Sequence, residues 1–277
     1  MSGFCPYWAH TDPVWHLCVF QCTHQRLERS QESAGDGVSI SVIIFYIIPQ
    51  ILQGKDPVLI TVSGAFFLLA VTLYLVYGWT LKTHAAVLGT LASLILTALL
   101  ANYFVQLTRL TGFGNEDALF LIQQSDITIN MQGLVLGGML IGALGVLDDL
   151  VITQASVVFE LYSLDPKMMV KELYQRAMRV GQDHVAATVN TLVLAYAGAA
   201  LPMFLLFSIS GAQIGYLLNL EYVAEEVVRT MVGSLGLITA VPLTTILSSL
   251  IVKKQYNFGP LRKLLGPTTM DDDRHHH

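Results

Sequence analysis

The sequence predicts an all-α, polytopic transmembrane helix bundle, built as one domain. Three observations carry that expectation. Of 277 residues, 53% are hydrophobic and only 13% charged, where about 25% charged is usual for a soluble domain. The mean hydropathy is +0.58. The apolar residues collect into six long stretches, at 38–53, 57–78, 85–107, 131–158, 185–209 and 230–252. Crossing a bilayer takes about 20 mostly apolar residues, and the segments must be helical because lipid offers no partner to free backbone groups. The first stretch is short and ends near Pro49.

The connections read as follows. Residues 166–180, "PKMMVKELYQRAMRV", open with Pro166 after Asp165, a helix-start signal. Met168, Met169, Leu173, Ala177 and Val180 recur at helical spacing among basic residues, which predicts an amphipathic helix on the inner membrane face. The 108–130 connection is acidic and should hold a short helix at 116–124. Residues 220–229 read as a helical lead-in to the last span, with Glu225 and Arg229 paired at i,i+4. Pro202 and Pro242 fall inside spans and should kink them. Glycine-rich runs such as "GLVLGGMLIGALG" (133–145) suit close helix approach. No internal repeat supports an inverted-repeat transporter.

Lysine and arginine set the orientation. With six alternating spans, twelve positive residues fall on one side: Arg26, Arg29, Lys82, Lys167, Lys171, Arg176, Arg179, Lys253, Lys254, Arg262, Lys263 and Arg274. Only Lys55, Arg109 and Arg229 fall on the other. Both termini are therefore expected in the cytoplasm.

Residues 1–36 differ in character from everything after them. They hold all three cysteines, Cys5, Cys18 and Cys22, with His10, His16 and His24 nearby. The C-x3-C-x-H spacing matches no standard zinc motif, so no metal is expected. Back-translated with permitted codons and read one base over, this segment yields an apolar span followed by a basic turn. The expectation is an out-of-frame translation or a misassigned start, leaving 37–254 as the transmembrane domain and 255–277 as a cytoplasmic tail.

Ionisable residues inside the membrane are the candidate site. Asp148 and Asp149 sit about nine residues from the inner end of the fourth span, on the order of 13–15 Å deep. Asp149, Thr153, Ser156 and Glu160 share one helical face. Gln154 lies off it. The fifth span carries His184, Thr188 and Thr191 at i, i+4, i+7, with Asn190 and Tyr196 also polar. A polar seam between the two spans is the expectation, with adjacent aspartates pointing about 100° apart and unable to share one small site. Three roles fit it: carrying a proton, binding a cation, or bonding the helices together. Asp183 reads as a helix cap. At the outer start of the last span, Glu225, Glu226 and Arg229 form either a solvated ion-pair face or an outer mouth.

Other classes find little support. No basic face suggests nucleic acid. No G-x-S-x-G, H-E-x-x-H or P-loop suggests an enzyme, and no cofactor is implied.

Three segments also resemble a known family. "GALGVLDDLVITQASVVFEL" (142–161), "RVGQDHVAATVNTLVLAYAGAALP" (179–202) and "AEEVVRTMVGSLGLITAVPLTT" (224–245) are similar to the YibE/F family of bacterial multipass membrane proteins, in the form seen in actinobacterial members. The resemblance spans about residues 38–252. It implies a bacterial inner-membrane protein. The family pattern has at least one more span upstream, which the frame-shifted reading of 1–36 would supply. The family carries no settled activity, only the description permease-like. The sequence therefore supports a permease or transporter of a small solute, proton or cation. The alternative is a non-transporting scaffold or accessory subunit in an envelope complex. The partners expected are the bilayer and a second copy or a membrane subunit.

Overall fold

The computed structural model describes residues 37–114, 116–124, 129–210, 215–216 and 219–254. The segment 1–36, its cysteines and the tail 255–277 lie outside the described residues. Those described form only helices.

Helix α1 runs over Gly37–Leu52 and contains a π-helical turn, Ile43–Ile47, in which the Ile48 N–H reaches the Ile43 carbonyl. Pro49 explains the widening. It has no N–H for the Phe45 carbonyl, and in a regular α-helix its ring would press on that oxygen. Helix α2, Pro57–Tyr77, starts where Asp56 accepts from the Val58 and Leu59 N–H groups at 2.8 and 3.3 Å, with Pro57 in the first turn. It ends at Gly78, whose φ is +68°. Helix α3, Leu81–Thr108, starts on Thr80, which accepts from the Thr83 N–H. Tyr74 and His84 hydrogen-bond at 2.6 Å across this tight turn, and Trp79 stacks on Tyr74.

Helix α4 is Glu116–Gln124, as the sequence predicts. Helix α5, Met131–Leu164, is capped by Asn130, which accepts from the Gly133 N–H at 3.0 Å. Helix α6, Val170–Ala199, meets α7, Leu201–Ser210, at a bend. Helix α8 is Glu221–Lys254.

Four helices, α2, α3, α5 and α8, are long and apolar enough to cross a membrane. The α6–α7 pair, bent by 51°, makes a fifth if it is one span. The expected sixth, α1, is shorter: its 16 residues (Gly37–Leu52) rise about 24 Å against a hydrocarbon core of about 30 Å. The described residues thus give four to five candidate spans by length and composition, with α1 as a shorter apolar helix.

Two further expectations change. The amphipathic segment is not a separate surface helix, because α6 runs unbroken from Val170 into the apolar stretch. Met168, Leu173 and Ala177 pack into a core with Val158, Phe159, Tyr162 and Val252, while Met169 and Val180 are exposed. The apolar face is used against protein. Asp183 is consequently mid-helix and exposed, so it caps nothing. Pro166 begins a turn, not the helix, and its carbonyl accepts from Lys253 Nζ at 3.0 Å. Of the two prolines, Pro202 sits just after the 51° bend, whereas α8 continues through Pro242 as one helix. The difference lies in packing. Ala240, Val241, Thr244 and Thr245 are all buried around Pro242, while Leu201, Phe204 and Leu205 are exposed.

Helix α8 is central and packs on α3, α5 and α6. Small residues permit the approach. A Cβ added to Gly89 would lie 2.7 Å from Thr244 Oγ1, and one added to Gly236 would lie 2.7 Å from Thr97 Oγ1. Among the described residues, the long polar side chain inside this packing is Gln154 of α5. Its Nε2 donates to the Ala177 carbonyl of α6 at 3.1 Å and to Thr245 Oγ1 of α8 at 2.7 Å. A Cβ on Gly181 would meet Gln154 Oε1 and Val241 Cγ1 at 2.6 Å.

Removing this clasp has a measurable consequence. Gln154→Ala should lower stability by about 1–2 kcal/mol, the worth of two interhelical hydrogen bonds. Gly181→Ala should destabilise on its own and less in the Gln154→Ala background, since the oxygen it strikes is then gone. A double-mutant cycle in SDS or thermal unfolding reads both effects. Strict additivity of the two changes would contradict the contact.

Candidate functional site

A recess lies between α1, α2 and α5. It is a cavity of about 370 Å³. Helix α5 contributes Ile141, Gly145, Asp148 and Ile152, a single stripe at i, i+4, i+7, i+11, flanked by Leu144 and Asp149. Helix α2 contributes residues from Ala65 to Tyr77, including Leu68, Leu69 and Thr72. Helix α1 adds Ser39, Ile43 and Ile47. Helix α1 packs chiefly on α2, where Gly64 admits Ile47: a Cβ there would lie 2.7 Å from Ile47 Cγ1. The cavity occupies the gap that this arrangement leaves toward α5.

Among the described residues, Asp148 and Asp149 are the charged groups on the cavity wall. Both line it, contrary to the expectation that neighbours on a helix cannot share a site, because the cavity is wide enough to take in more than one face of α5. Asp148 is half-buried, and its Oδ1 is shielded from solvent with no hydrogen-bond partner among the described residues. Thr72 Oγ1, on the opposite wall, is shielded and unpartnered in the same way. Asp149 is exposed at the rim.

The other predicted seam residues lie elsewhere. Thr153, Ser156 and Glu160 do not line the cavity. Ser156 donates to the Ile152 carbonyl at 2.9 Å, and Glu160 is exposed. On α6, the face turned to α5 is apolar: Val185, Val189, Leu192 and Tyr196 pack on a core that includes Leu147 and Val151. The polar stripe lies one residue away in sequence, which is about 100° of rotation. Thr188 Oγ1 donates to the His184 carbonyl at 2.8 Å and Thr191 Oγ1 to the Ala187 carbonyl at 3.1 Å, each within its own helix. Asn190 and Thr191 are exposed. The structure therefore gathers the two aspartates with α1 and α2 and leaves His184, Thr188, Asn190 and Thr191 outside the cavity.

At the opposite end of the bundle, α8 begins with a cluster of acids. Arg229 Nη2 donates to Glu225 Oε1 at 2.6 Å, and its Nε lies 3.7 Å from Glu226 Oε2. A second cavity of about 220 Å³ lies beneath α4, bordered by Asp117, Leu121, Met131, Val135, Glu225 and Arg229. It shares no lining residue with the first. Glu221 closes the α3–α4 connection over it. Its Oε1 accepts from the Thr111 and Gly112 N–H groups at 2.6 and 2.8 Å, and Oε2 from the Thr111 hydroxyl at 2.8 Å.

The comparisons with known proteins bear on the whole helical region. A family model described as YibE/F-like protein matches residues 33–254. The chain belongs to the YibE/F family. Neither the curated proteins nor the solved structures gave a match. The matched range contains both cavities, the aspartate pair and the Gln154 clasp. Family membership and the apolar helices together fit a multipass membrane protein.

Ser39, Thr72 and Gly145 line the cavity but were not singled out in the sequence. Thr72 is a lone threonine within the apolar run 65–77 of α2, and that was the available signal. The Glu221 clasp is directly testable. Glu221→Ala should free the 111–113 backbone and raise its amide exchange by about tenfold or more, the loss of a charge-assisted bond. Unchanged exchange at Gly112 would show that the clasp does not hold the connection.

Proposed function

We propose that this YibE/F protein is a permease or transporter of a small solute or ion in the bacterial inner membrane, with both termini in the cytoplasm. One observation supports this best. Two adjacent carboxylates midway along a 34-residue helix line a cavity, and the shielded Asp148 Oδ1 has no hydrogen-bond partner among the described residues. A carboxylate kept only for structure would be expected to have its acceptors filled. Asp148 is the binding group, with Asp149 at the rim as the group that exchanges with the surroundings. Glu225, Glu226 and Arg229, at the far end of α8, form the outer mouth in this scheme.

A second reading is a scaffold or accessory subunit, acting as a homo-oligomer or beside another membrane subunit. The exposed apolar side chains of α1 and α7, such as Phe45 at 79% and Ile209 at 83%, favour it, since contact with another subunit would cover them as well as lipid does.

Flux measurements decide between the two. The full-length chain in proteoliposomes, loaded with a pH-sensitive dye and assayed for proton and sodium movement, should exceed empty vesicles. Asp148→Asn should reduce that flux by about tenfold or more, the effect of losing one buried charge contact, and Asp149→Asn should reduce it less. Wild-type flux equal to that of empty vesicles for every ion and organic cation tried, with both variants folded but altered in stability, would favour the scaffold.

A further inference from the structure

We propose that the cavity between α1, α2 and α5 binds a lipophilic organic cation: an ammonium or guanidinium group on an apolar body, its charged head at Asp148 and Asp149. This names the substrate class of the transport reading and rests on it for its physiological meaning, though binding itself does not.

The chemistry of the walls carries the inference. A volume of about 370 Å³ is in the range of small-molecule sites, which are mainly apolar with a few placed polar groups. A proton alone needs no such space. A hard metal ion requires about six to eight oxygen ligands to replace its water. Among the described residues no group of three or more histidine, cysteine, aspartate or glutamate side chains is placed to hold one. The two carboxylates and the hydroxyls of Ser39, Thr72 and Tyr77 are set in walls that also present Ile43, Ile47, Leu68 and Leu144, a surface a sodium or calcium ion cannot use. An organic cation uses both kinds of surface. Its N–H donors or positive charge meet the open Asp148 Oδ1 and, across the cavity, Thr72 Oγ1. Its hydrocarbon body lies on the isoleucines and leucines. A neutral or anionic solute would leave Asp148 without a partner.

The site also has room for the body. A Cβ built on Gly145 meets nothing within 4 Å, and Gly145 lies on the cavity stripe one turn before Asp148. Helix α1 forms the wall opposite α5 while packing chiefly on α2.

Ethidium is a fluorescent probe of this class. Titrated against the full-length chain in phosphatidylcholine nanodiscs, it should bind saturably. The double variant Asp148→Asn/Asp149→Asn should weaken binding by about tenfold or more, roughly one charge-assisted contact. Gly145→Leu, which fills the space and leaves both charges, should weaken it by a similar factor. Benzyltriethylammonium should displace the dye, whereas sodium and calcium at the same concentration should not. Absence of saturable binding to the wild type, or equal binding to wild type and both variants, overturns the proposal. If a variant does not fold, competition on the wild type decides. Ethidium that benzyltriethylammonium cannot displace, or that calcium displaces equally well, overturns it. The two readings separate cleanly. Proton or sodium flux without ethidium binding removes the organic-cation site and keeps transport. Ethidium bound at Asp148 and Asp149, with no movement of ethidium or any ion across proteoliposomes, keeps the site and removes transport.

Discussion

The close approach of α8 to three other helices is the constraint on which the rest of the structure depends. Apolar helices in lipid gain little from the hydrophobic effect by meeting one another, so association rests on packing and on interhelical hydrogen bonds. Here the packing is glycine against threonine, with Gly89 on Thr244 and Thr97 on Gly236. The hydrogen bonding is concentrated in Gln154, which joins α5 to α6 and α8 through one amide nitrogen. Gly181 is the space that admits it. This clasp sets the rotation of α5, and that rotation decides which way every other residue on the helix faces.

With Gln154 turned toward α6 and α8, Asp148 turns toward α1 and α2. The two positions lie six residues apart, about 240° around the helix, so fixing one fixes the other. The aspartates consequently leave the tightly packed side of the bundle and meet the looser one, where a short helix with a π turn packs chiefly on α2. On the α8 side Gln154 is paired with the Ala177 carbonyl and Thr245, while the small hydroxyls of Thr244, Ser248 and Ser249 are buried among packed helices. On the α1 side Asp148 and Thr72 keep open acceptors beside a cavity.

The YibE/F helices were largely legible from apolar run length and from caps. Asp56–Pro57 and Thr80 mark α2 and α3, and α4 falls where its sequence pattern places it. The pattern failed where two neighbouring segments merge. Nothing between 170 and 199 breaks a helix strongly enough to stop it, since Gly181 is held by Gln154 and Asp183 is one exposed residue among helix formers. The expected first span, 38–53, matches the described extent of α1, Gly37–Leu52, which by itself is shorter than the other apolar helices. At the site, the sequence picked out Asp148 and Asp149 as unusual but assigned them the wrong neighbours. Polar stripes on α5 and α6 look complementary in a list of spacings. Yet α6 turns Val185, Val189 and Leu192 inward, and its threonines bond within their own helix.

Composition and periodicity by themselves determined that this chain is a bundle of apolar helices, roughly where each lies, and that two carboxylates sit deep within one of them. These are properties of single helices, set by the length of an apolar run and by local capping chemistry. Only the tertiary structure decided what those carboxylates face. That depends on rotation about each helix axis, where one residue is about 100°, and on contacts such as Gln154 with Thr245 that join residues far apart in the chain. A helical spacing shows which residues share a face, and only packing shows which face meets the cavity.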